Sequence, residues 1–223
     1  MKLSIIIPVL NEEQRIGSCL ARLRNLPCSI HEIIVVDGGS QDNSKQIATP
    51  LCDYIYRSPA SRALQMNLGA KHATGDFLLF LHADSYFSEG ISRFLQAYTS
   101  DDFIWGRFTI RLSGTSWLFR MIEKCMNLRS RLTGVATGDQ AIFINRKLFD
   151  QVDGYPELAL MEDVAISKCL RKISRPVCLD IEVESSSRRW EENGIIKTIL
   201  KMWLFRLLYF FEFDTHKLAK YYH

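Results

Sequence analysis

The chain has 223 residues, of which 47% are hydrophobic and 24% are charged, with a formal net charge of +3. This length suits one large domain, or one domain with a helical appendage, and the composition gives no sign of a disordered chain. The weak basicity lacks the concentrated Lys/Arg face of nucleic-acid-binding proteins, so no nucleic-acid partner is expected.

The N-terminal stretch "MKLSIIIPVLNEE" is interpreted as a strand and not as a signal peptide. Pro8 and the acidic pair Glu12 and Glu13 stand where a cleavage site would be expected. The six cysteines are widely spaced and contain no CxxC pair, which favours a reduced compartment. We therefore expect a cytoplasmic protein.

Three early segments are apolar runs that end abruptly on polar or small residues. They are "LSIIIPVLNEE", "EIIVVDGGS" and "DFLLFLHADS". Continuous apolar strands indicate a parallel sheet that is covered by helices on both faces. Helices are predicted between these strands at residues 12–24 and 61–73, and "DYIYRS" predicts a further short strand.

The pattern changes after residue 88. "FIWGRFTIRL", residues 103–112, alternates in polarity, which predicts a half-exposed antiparallel strand. A helix at 116–131, a strand "AIFIN", a helix after Glu162 and a strand "PVCLDIEV" complete the predicted order. The expected fold is α/β with a mostly parallel, mixed sheet.

A strongly apolar segment, "GIIKTILKMWLFRLLYFFEF", follows the predicted sheet. Its helical stripe is too broad for one domain face to cover easily. We expect a domain at 1–190 and a helical extension at 191–223. Packing on the domain, a dimer contact and a peripheral contact with the inner face of the membrane remain open, whereas Lys201 and Arg206 make a membrane-spanning helix improbable.

Acidic residues follow two of the predicted parallel strands. Asp37 and Asp84 stand at carboxyl ends, where ligands bind in α/β sheets. Asp37 could accept hydrogen bonds from a nucleobase or ribose, or simply cap the next helix, and Gly38 would let a ligand approach the backbone. Asp84 could hold Mg²⁺ or Mn²⁺ against substrate phosphates. The GxGxxG pattern is missing, which disfavours a dinucleotide site.

Further candidates lie in the second half of the chain. Glu162 and Asp163 begin a predicted helix. Their negative charges could simply interact favourably with the helix dipole, or they could be carboxylates whose pKa is raised so that one acts as a base. The third candidate group is Arg188, Arg189 and Trp190. It is either an exposed loop or a site where the arginines bind a diphosphate and the tryptophan stacks on a ring of the ligand. Arg62, at another helix start, is a further candidate phosphate ligand.

These motifs together resemble family 2 glycosyltransferases of the GT-A fold. The resemblance is carried by "IIIPVLNEE", "IIVVDGGSQDNS", "LLFLHADS", "GDQAIF", "MEDV" and "RRW". The forms "ASRALQMNLGA", "LHADS", "LMEDV" and "THKLAKYY" resemble a narrower subgroup, the small glycosyltransferases of arsenosugar biosynthesis associated with radical-SAM proteins.

The resemblance implies roles for these positions. Asp37 would recognise the nucleobase, Asp84 would end the DxD-type element, and Asp163, beside Glu162, would be the catalytic base. Arg189 and Trp190 would end the QxxRW element. The remaining predicted donor-binding residues are Pro8, Asn11, Glu12, Gly38, Arg62 and Arg188. In two places the sequence departs from the family: His82 replaces the first acid of DxD, and Ser186 replaces the glutamine of QxxRW.

The expected activity is a metal-dependent, inverting transfer of a sugar from a UDP- or GDP-linked donor to an acceptor hydroxyl. Mn²⁺ or Mg²⁺ is the expected cofactor. A nucleotidyltransferase that makes a nucleotide sugar, or a non-catalytic module that binds one, are the alternatives.

Overall fold

The computed structural model describes residues 2–27, 30–87, 90–97 and 104–221, so Cys28 and Phe103 lie outside the described ranges. The strands within these ranges are β1 (Leu3–Val9), β2 (Glu32–Asp37), β3 (Tyr54–Arg57), β4 (Phe77–Phe80), β5 (Tyr86–Phe87), β6 (Trp105–Leu112), β7 (Ile142–Asn145) and β8 (Val177–Ser185). The helices are α1 (Ile16–Arg24), α2 (Ser44–Ala48), α3 (Arg62–His72), α4 (Gly90–Ala97), α5 (Trp117–Thr133), α6 (Arg146–Gln151), α7 (Glu162–Arg171), α8 (Arg188–Asn193), α9 (Ile195–Phe210) and α10 (Thr215–Lys220).

The strands pair into one mixed sheet in the order β3-β2-β1-β4-β7-β6-β8-β5. Strands β1 to β4 are parallel to one another. Strand β7 is antiparallel to both β4 and β6, β8 is parallel to β6, and β5 is antiparallel to β8. The α/β architecture with a mixed sheet, predicted from the sequence, is confirmed.

The parallel half of the sheet is buried on both faces. In β1, Ile5 and Ile7 enter one core and Ile6 enters the other. Helix α1 covers the first core, and α3 covers the second. A Cβ atom on Gly69 of α3 would lie 2.5 Å from a methyl group of Ile6, so glycine permits the close approach of helix and strand. Burial on both faces explains why these strands are apolar throughout.

Helix α1 begins four residues later than the sequence predicts. The carbonyl of Glu12 accepts the N–H groups of Arg15 and Ile16, both at 2.9 Å, and closes a turn before the helix. The N–H of Glu12 donates to the Ser44 hydroxyl at 2.7 Å. Because Glu12 is bonded to the first residue of α2, helix α1 starts only after it.

The prediction that one face of β6 is exposed holds only near its end, at Thr109 and Arg111, and is wrong for its first half. Trp105 and Arg107 on its polar face are fully buried, because β6 lies between β7 and β8 and is covered by α5. The Arg107 guanidinium donates to the carbonyl of Asn127 at 3.0 Å and to its side-chain oxygen at 3.3 Å. Since β6 also runs parallel to β8, only its pairing with β7 is antiparallel.

The C-terminal helices continue from the sheet without a separating linker. The proposed boundary at residue 190 falls inside α8. Ile195 and Ile199 of α9 pack against a small core on α5 that includes Phe119 and Ile122. In the part of the chain that the structure describes, no helix is both long enough and apolar enough to cross a membrane.

Candidate active site

A cleft of about 790 Å³ opens beyond the carboxyl ends of the central strands. Loops after β1 and β4, the starts of α3 and α7, and one side of α8 and α9 form its walls. The predicted site residues that line it are Glu12, Arg62, Asp84, Glu162, Asp163, Arg188, Arg189 and Trp190. Residues more than a hundred positions apart in the sequence therefore share one surface.

Four predicted donor-binding residues do not line this cleft: Pro8, Asn11, Asp37 and Gly38. Asp37 is buried at the end of β2, where its carboxylate accepts the N–H groups of Gly39 and Ser40, each at 3.1 Å. Asp37 therefore does not line the cleft that Asp84 and Asp163 share.

The loop after β2 is tied to the loop after β1. Asn11, which has a positive φ of 54°, donates its N–H to the Ser40 hydroxyl at 3.0 Å. Its side-chain oxygen accepts the N–H of Gln41 at 2.9 Å. Asn11 tolerates this left-handed conformation better than most residues. The two loops consequently form one hydrogen-bonded unit beside the cleft.

Gln65 of α3 fixes the strand ends beneath this unit. Its side-chain amide is buried and donates to the carbonyls of Val9, at 2.9 Å, and Val36, at 2.8 Å. A Cβ atom on Gly38 would lie 3.1 Å from the same amide. The small residue after Asp37 thus leaves room for the Gln65 amide.

His82, after β4, contacts Asp139 from the "GDQ" motif. The Nδ1 atom of His82 lies 3.5 Å from an oxygen of Asp139. Burial alone would lower the pKa of His82, but the hydrogen bond to Asp139 and the charges of Asp139 and Asp84 together raise this pKa above its ordinary value. Burial would raise the pKa of Asp139, but the hydrogen bond to His82 and the charges of His82, Arg62 and Arg189 together lower it. Both shifts favour the charged forms of the two side chains. Gly138 leaves room for the His82 ring, because a Cβ there would lie 2.5 Å from Nε2 of His82.

Asp163 lies in the first turn of α7 with both oxygens held. One accepts the N–H of Gly138 at 2.9 Å and the other accepts the N–H of Val164 at 2.7 Å. Burial raises the pKa of Asp163, although the two N–H groups favour its charged form. Burial and the charge of Asp163 raise the pKa of Glu162. Arg62 acts in the opposite direction on the pKa of both carboxyls.

Asp84 presents a partly exposed carboxylate to the cleft. Beneath it, burial and the Asp84 charge raise the pKa of Cys19 to about 12, so this residue stays a thiol. Its sulfur lies 3.5 Å from the carbonyl of Ser85. Across the described residues, no three His, Cys, Asp or Glu side chains cluster as metal ligands. Asp84 still fits Mg²⁺ or Mn²⁺, since these ions prefer oxygen ligands and share them with substrate phosphates.

Comparison with known proteins agrees with this geometry. The model of the family "Glycosyl transferase family 2" matches residues 4–153. The chain belongs to this family. A PGL/p-HBAD biosynthesis glycosyltransferase of Mycobacterium bovis is 30% identical over 164 residues, which cover 68% of this chain and 62% of that protein. The chain therefore matches less than two thirds of the length of this relative.

Solved structures of low sequence identity share the fold. S. aureus TarS 1-349 in complex with UDP-GlcNAc has a TM-score of 0.68 at 19% identity, covering 83% of this chain and 58% of that one. The mannosyltransferase PcManGT from Pyrobaculum calidifontis, in complex with GDP-Man and Mn2+, has a TM-score of 0.64 at 16% identity, covering 82% and 56%. The family 2 enzyme therefore has the GT-A fold.

The RRW motif of the glycosyltransferase forms a helix and not an exposed loop. Arg188, at the start of α8, pairs with Glu192 at 3.2 Å. The charge of Arg189 helps to lower the pKa of Asp139 across the cleft. Trp190 also packs against the small core on α5. Ser186, which replaces the family glutamine, lines the cleft and accepts the N–H of Arg188 at 3.3 Å.

Several cleft residues of the glycosyltransferase were not predicted. Asp139 lies in the quoted "GDQ" motif, but nothing in the sequence identifies His82 as its partner. One side of α9 also lines the cleft, through Lys197, Thr198, Lys201, Met202 and Arg206. The cationic residues within this apolar helix could have indicated a ligand-binding face. Helical periodicity alone, however, does not show which face of a helix contacts a ligand.

Proposed function

We propose that this family 2 enzyme transfers a sugar from a nucleotide-diphosphate donor to an acceptor hydroxyl with inversion. The observation that carries the proposal is the position of Asp163. Its carboxylate lines the same cleft as Asp84 and is oriented by backbone N–H groups on both oxygens. Such a fixed carboxylate is suited to accept a proton at a defined point.

Asp163 would act as the general base. Burial raises the pKa of Asp163 and so increases its basicity, while the two backbone bonds favour its ionised form and leave lone pairs for a proton. As the acceptor oxygen bonds to the anomeric carbon, its proton passes to Asp163. The bond from that carbon to the donor diphosphate breaks on the opposite face, and the nucleoside diphosphate leaves with the electron pair.

Cationic side chains would stabilise the charge on the departing diphosphate. Arg62, Arg188 and Arg189 all line the cleft, and guanidinium groups bind phosphate oxygens in pairs. Asp84 would hold Mg²⁺ or Mn²⁺, which would supply further charge neutralisation at the diphosphate.

The donor class is supported by the structural neighbours. The TarS structure contains UDP-GlcNAc and the PcManGT structure contains GDP-Man and Mn2+. Asp37 and the joined loops beside it offer a buried carboxylate for the nucleoside, next to the cleft. We extend the proposal to a UDP- or GDP-sugar and, from the sequence resemblance alone, to an acceptor of the arsenosugar type.

Asp163→Asn tests the base role. The variant should retain nucleotide binding, because the amide is nearly the same size, but should lose about 10²–10⁴-fold in turnover. The measurement is acceptor-dependent release of nucleoside diphosphate, with donor binding followed by calorimetry. Asp150→Asn makes the same change at an exposed position of α6 and should behave as the wild type. Near-wild-type turnover of Asp163→Asn would remove it from the base role.

The same assay separates the alternatives. Pyrophosphate as the product would indicate nucleotidyl transfer, whereas nucleoside diphosphate indicates glycosyl transfer. A non-catalytic module would bind the donor and show neither transfer nor slow donor hydrolysis. A thermal-shift screen of UDP- and GDP-sugars, with and without Mn²⁺, would identify the donor, because ligands that bind the folded state raise its melting temperature.

A further inference from the structure

Helix α9 exposes a large apolar surface on the side away from the cleft. Trp203 is 73% exposed, and Phe210 is 71% exposed. The exposed apolar side chains of α9 are Ile196, Leu200, Trp203, Leu204, Leu207 and Phe210. At 3.6 residues per turn, these positions fall within one arc of about 120°. Such a continuous patch marks an interaction surface, and we call it the α9 arc.

The opposite side of α9 is already used by the protein. Thr198 and Phe205 are buried, and Phe205 packs in a core with Leu160 and Met161, which precede α7. Thr198 and Lys201 line the cleft. The helix could not turn its exposed arc inward without removing this wall and core contact. The arc therefore faces outward, because the opposite face of α9 packs against the protein and lines the cleft.

The charged side chains within α9 itself are of one sign. No Asp or Glu occurs between residues 195 and 211. The helical spacing places the exposed Lys197 beside the arc on one side, and on the other side it places Arg206, which also lines the cleft. Basic side chains beside an apolar arc can reach anionic lipid headgroups while the apolar groups enter the acyl boundary. Trp203, with an apolar ring and one N–H group, suits such an interface.

The length of α9 determines its orientation. Its 16 residues extend about 24 Å, less than the ~30 Å hydrocarbon thickness of a bilayer. The arc runs along the whole helix, so its contact surface is parallel to the helix axis. A helix of this kind lies in the plane of the interface and does not cross it.

We propose that the protein docks on anionic phospholipid membranes through the α9 arc. A second copy of the chain is the competing occupant, but a symmetric contact would bring two arcs with cationic flanks together with no acidic residue between 195 and 211 to meet them. An anionic bilayer supplies both the apolar phase and the opposite charge. Docking would place Lys197, at the edge of the cleft, level with the lipid headgroups.

Flotation with lipid vesicles tests this proposal directly. The wild type should float with vesicles of equimolar phosphatidylcholine and phosphatidylglycerol, and less with phosphatidylcholine alone. Trp203→Ala should weaken the partition coefficient about tenfold, because a large apolar side chain no longer enters the interface. The substitution is at an exposed position, so the fold should be unaffected, which circular dichroism would verify.

Two control variants separate this proposal from other outcomes. Trp117→Ala removes a tryptophan of similar exposure, 71%, from α5 and should float as the wild type. An equal loss in this variant would overturn the role of the arc. Asp163→Asn should also float normally, since docking does not depend on the proposed catalysis. Failure of the wild type to float, or a dimer in ultracentrifugation that Trp203→Ala dissociates, would also overturn the proposal.

Discussion

Two acidic corners of the molecule use the same type of residue in different ways. In the corner after β2, the Asp37 carboxylate accepts the N–H groups of Gly39 and Ser40. In the corner at the start of α7, Glu162 and Asp163 are adjacent, and burial raises the pKa of both. The first corner is a hydrogen-bonded loop, and the second is a pair of carboxyls that repel each other when both are charged.

This difference assigns the corners to different tasks. Backbone N–H groups orient both Asp37 and Asp163, so orientation alone does not distinguish the two corners. A carboxylate that recognises donor groups on a ligand does not need to change its charge. A buried pair with a raised pKa is suited to take up a proton, because its charged form is the less favoured one. Environment, and not residue type, makes one corner a binding element and the other a basic element.

The largest effect should come from loosening the first corner. Gln65→Ala removes the buried amide that joins the ends of β1 and β2 and leaves a cavity. We expect the free energy of unfolding to fall by about 2–3 kcal/mol, from lost hydrogen bonds and lost packing. Urea denaturation would measure it. Gln46→Ala, at an exposed position of α2, is the matched control and should change little. A Gln65→Ala protein as stable as this control would contradict the account.

A smaller effect should separate binding from catalysis. Asp37→Asn keeps an oxygen for the N–H groups of Gly39 and Ser40, so the loop should persist. We expect the Kd for the donor nucleotide to rise about tenfold, because a charged acceptor is lost, with kcat little changed. Calorimetry and steady-state kinetics would measure the two quantities. If Asp37→Asn instead lowered kcat at constant Kd, Asp37 would act in catalysis and not in donor binding, contrary to the proposal.

The sequence predicts the parallel half of the fold well because its strands are buried on both faces. Apolar runs then identify β1, β2 and β4 without information on distant contacts. The prediction for the first half of β6 fails because alternating polarity indicates an exposed face only if its polar groups reach water. Arg107 finds its partners on α5 instead, and this contact depends on how helix and strand pack.

Prediction of the candidate site from the sequence is limited in the same way. Motifs identify Asp84, Glu162 and Asp163, and the fold brings these three to one cleft. The pairing of His82 with Asp139 and the cationic wall from α9 depend on packing between elements that are far apart in the sequence. Local patterns therefore identify chemical groups at strand and helix ends more reliably than they identify partners.

The smallest effect concerns the second corner and has a definite dependence on pH. The folded pKa of Glu162 is raised, so this group stabilises the fold below its ordinary pKa and the contribution is lost as pH rises through the folded value. Glu162→Gln should therefore be more stable than the wild type at neutral pH, on the order of 1 kcal/mol, and the difference should vanish near pH ~4. Thermal denaturation across this range would measure it, with the exposed Glu157→Gln as a control without such a trend.

The same variant should shift the pH dependence of turnover. Electrostatic coupling between two carboxyls is mutual, so removing the charge of Glu162 lets Asp163 ionise at lower pH. The acid limb of kcat/KM should move to lower pH in Glu162→Gln and should stay in place in Glu157→Gln. A shift to higher pH would mean that Glu162 stabilises the ionised base, for instance by donating a hydrogen bond from its own protonated form. The direction of this shift therefore distinguishes a repelling pair from a cooperating one.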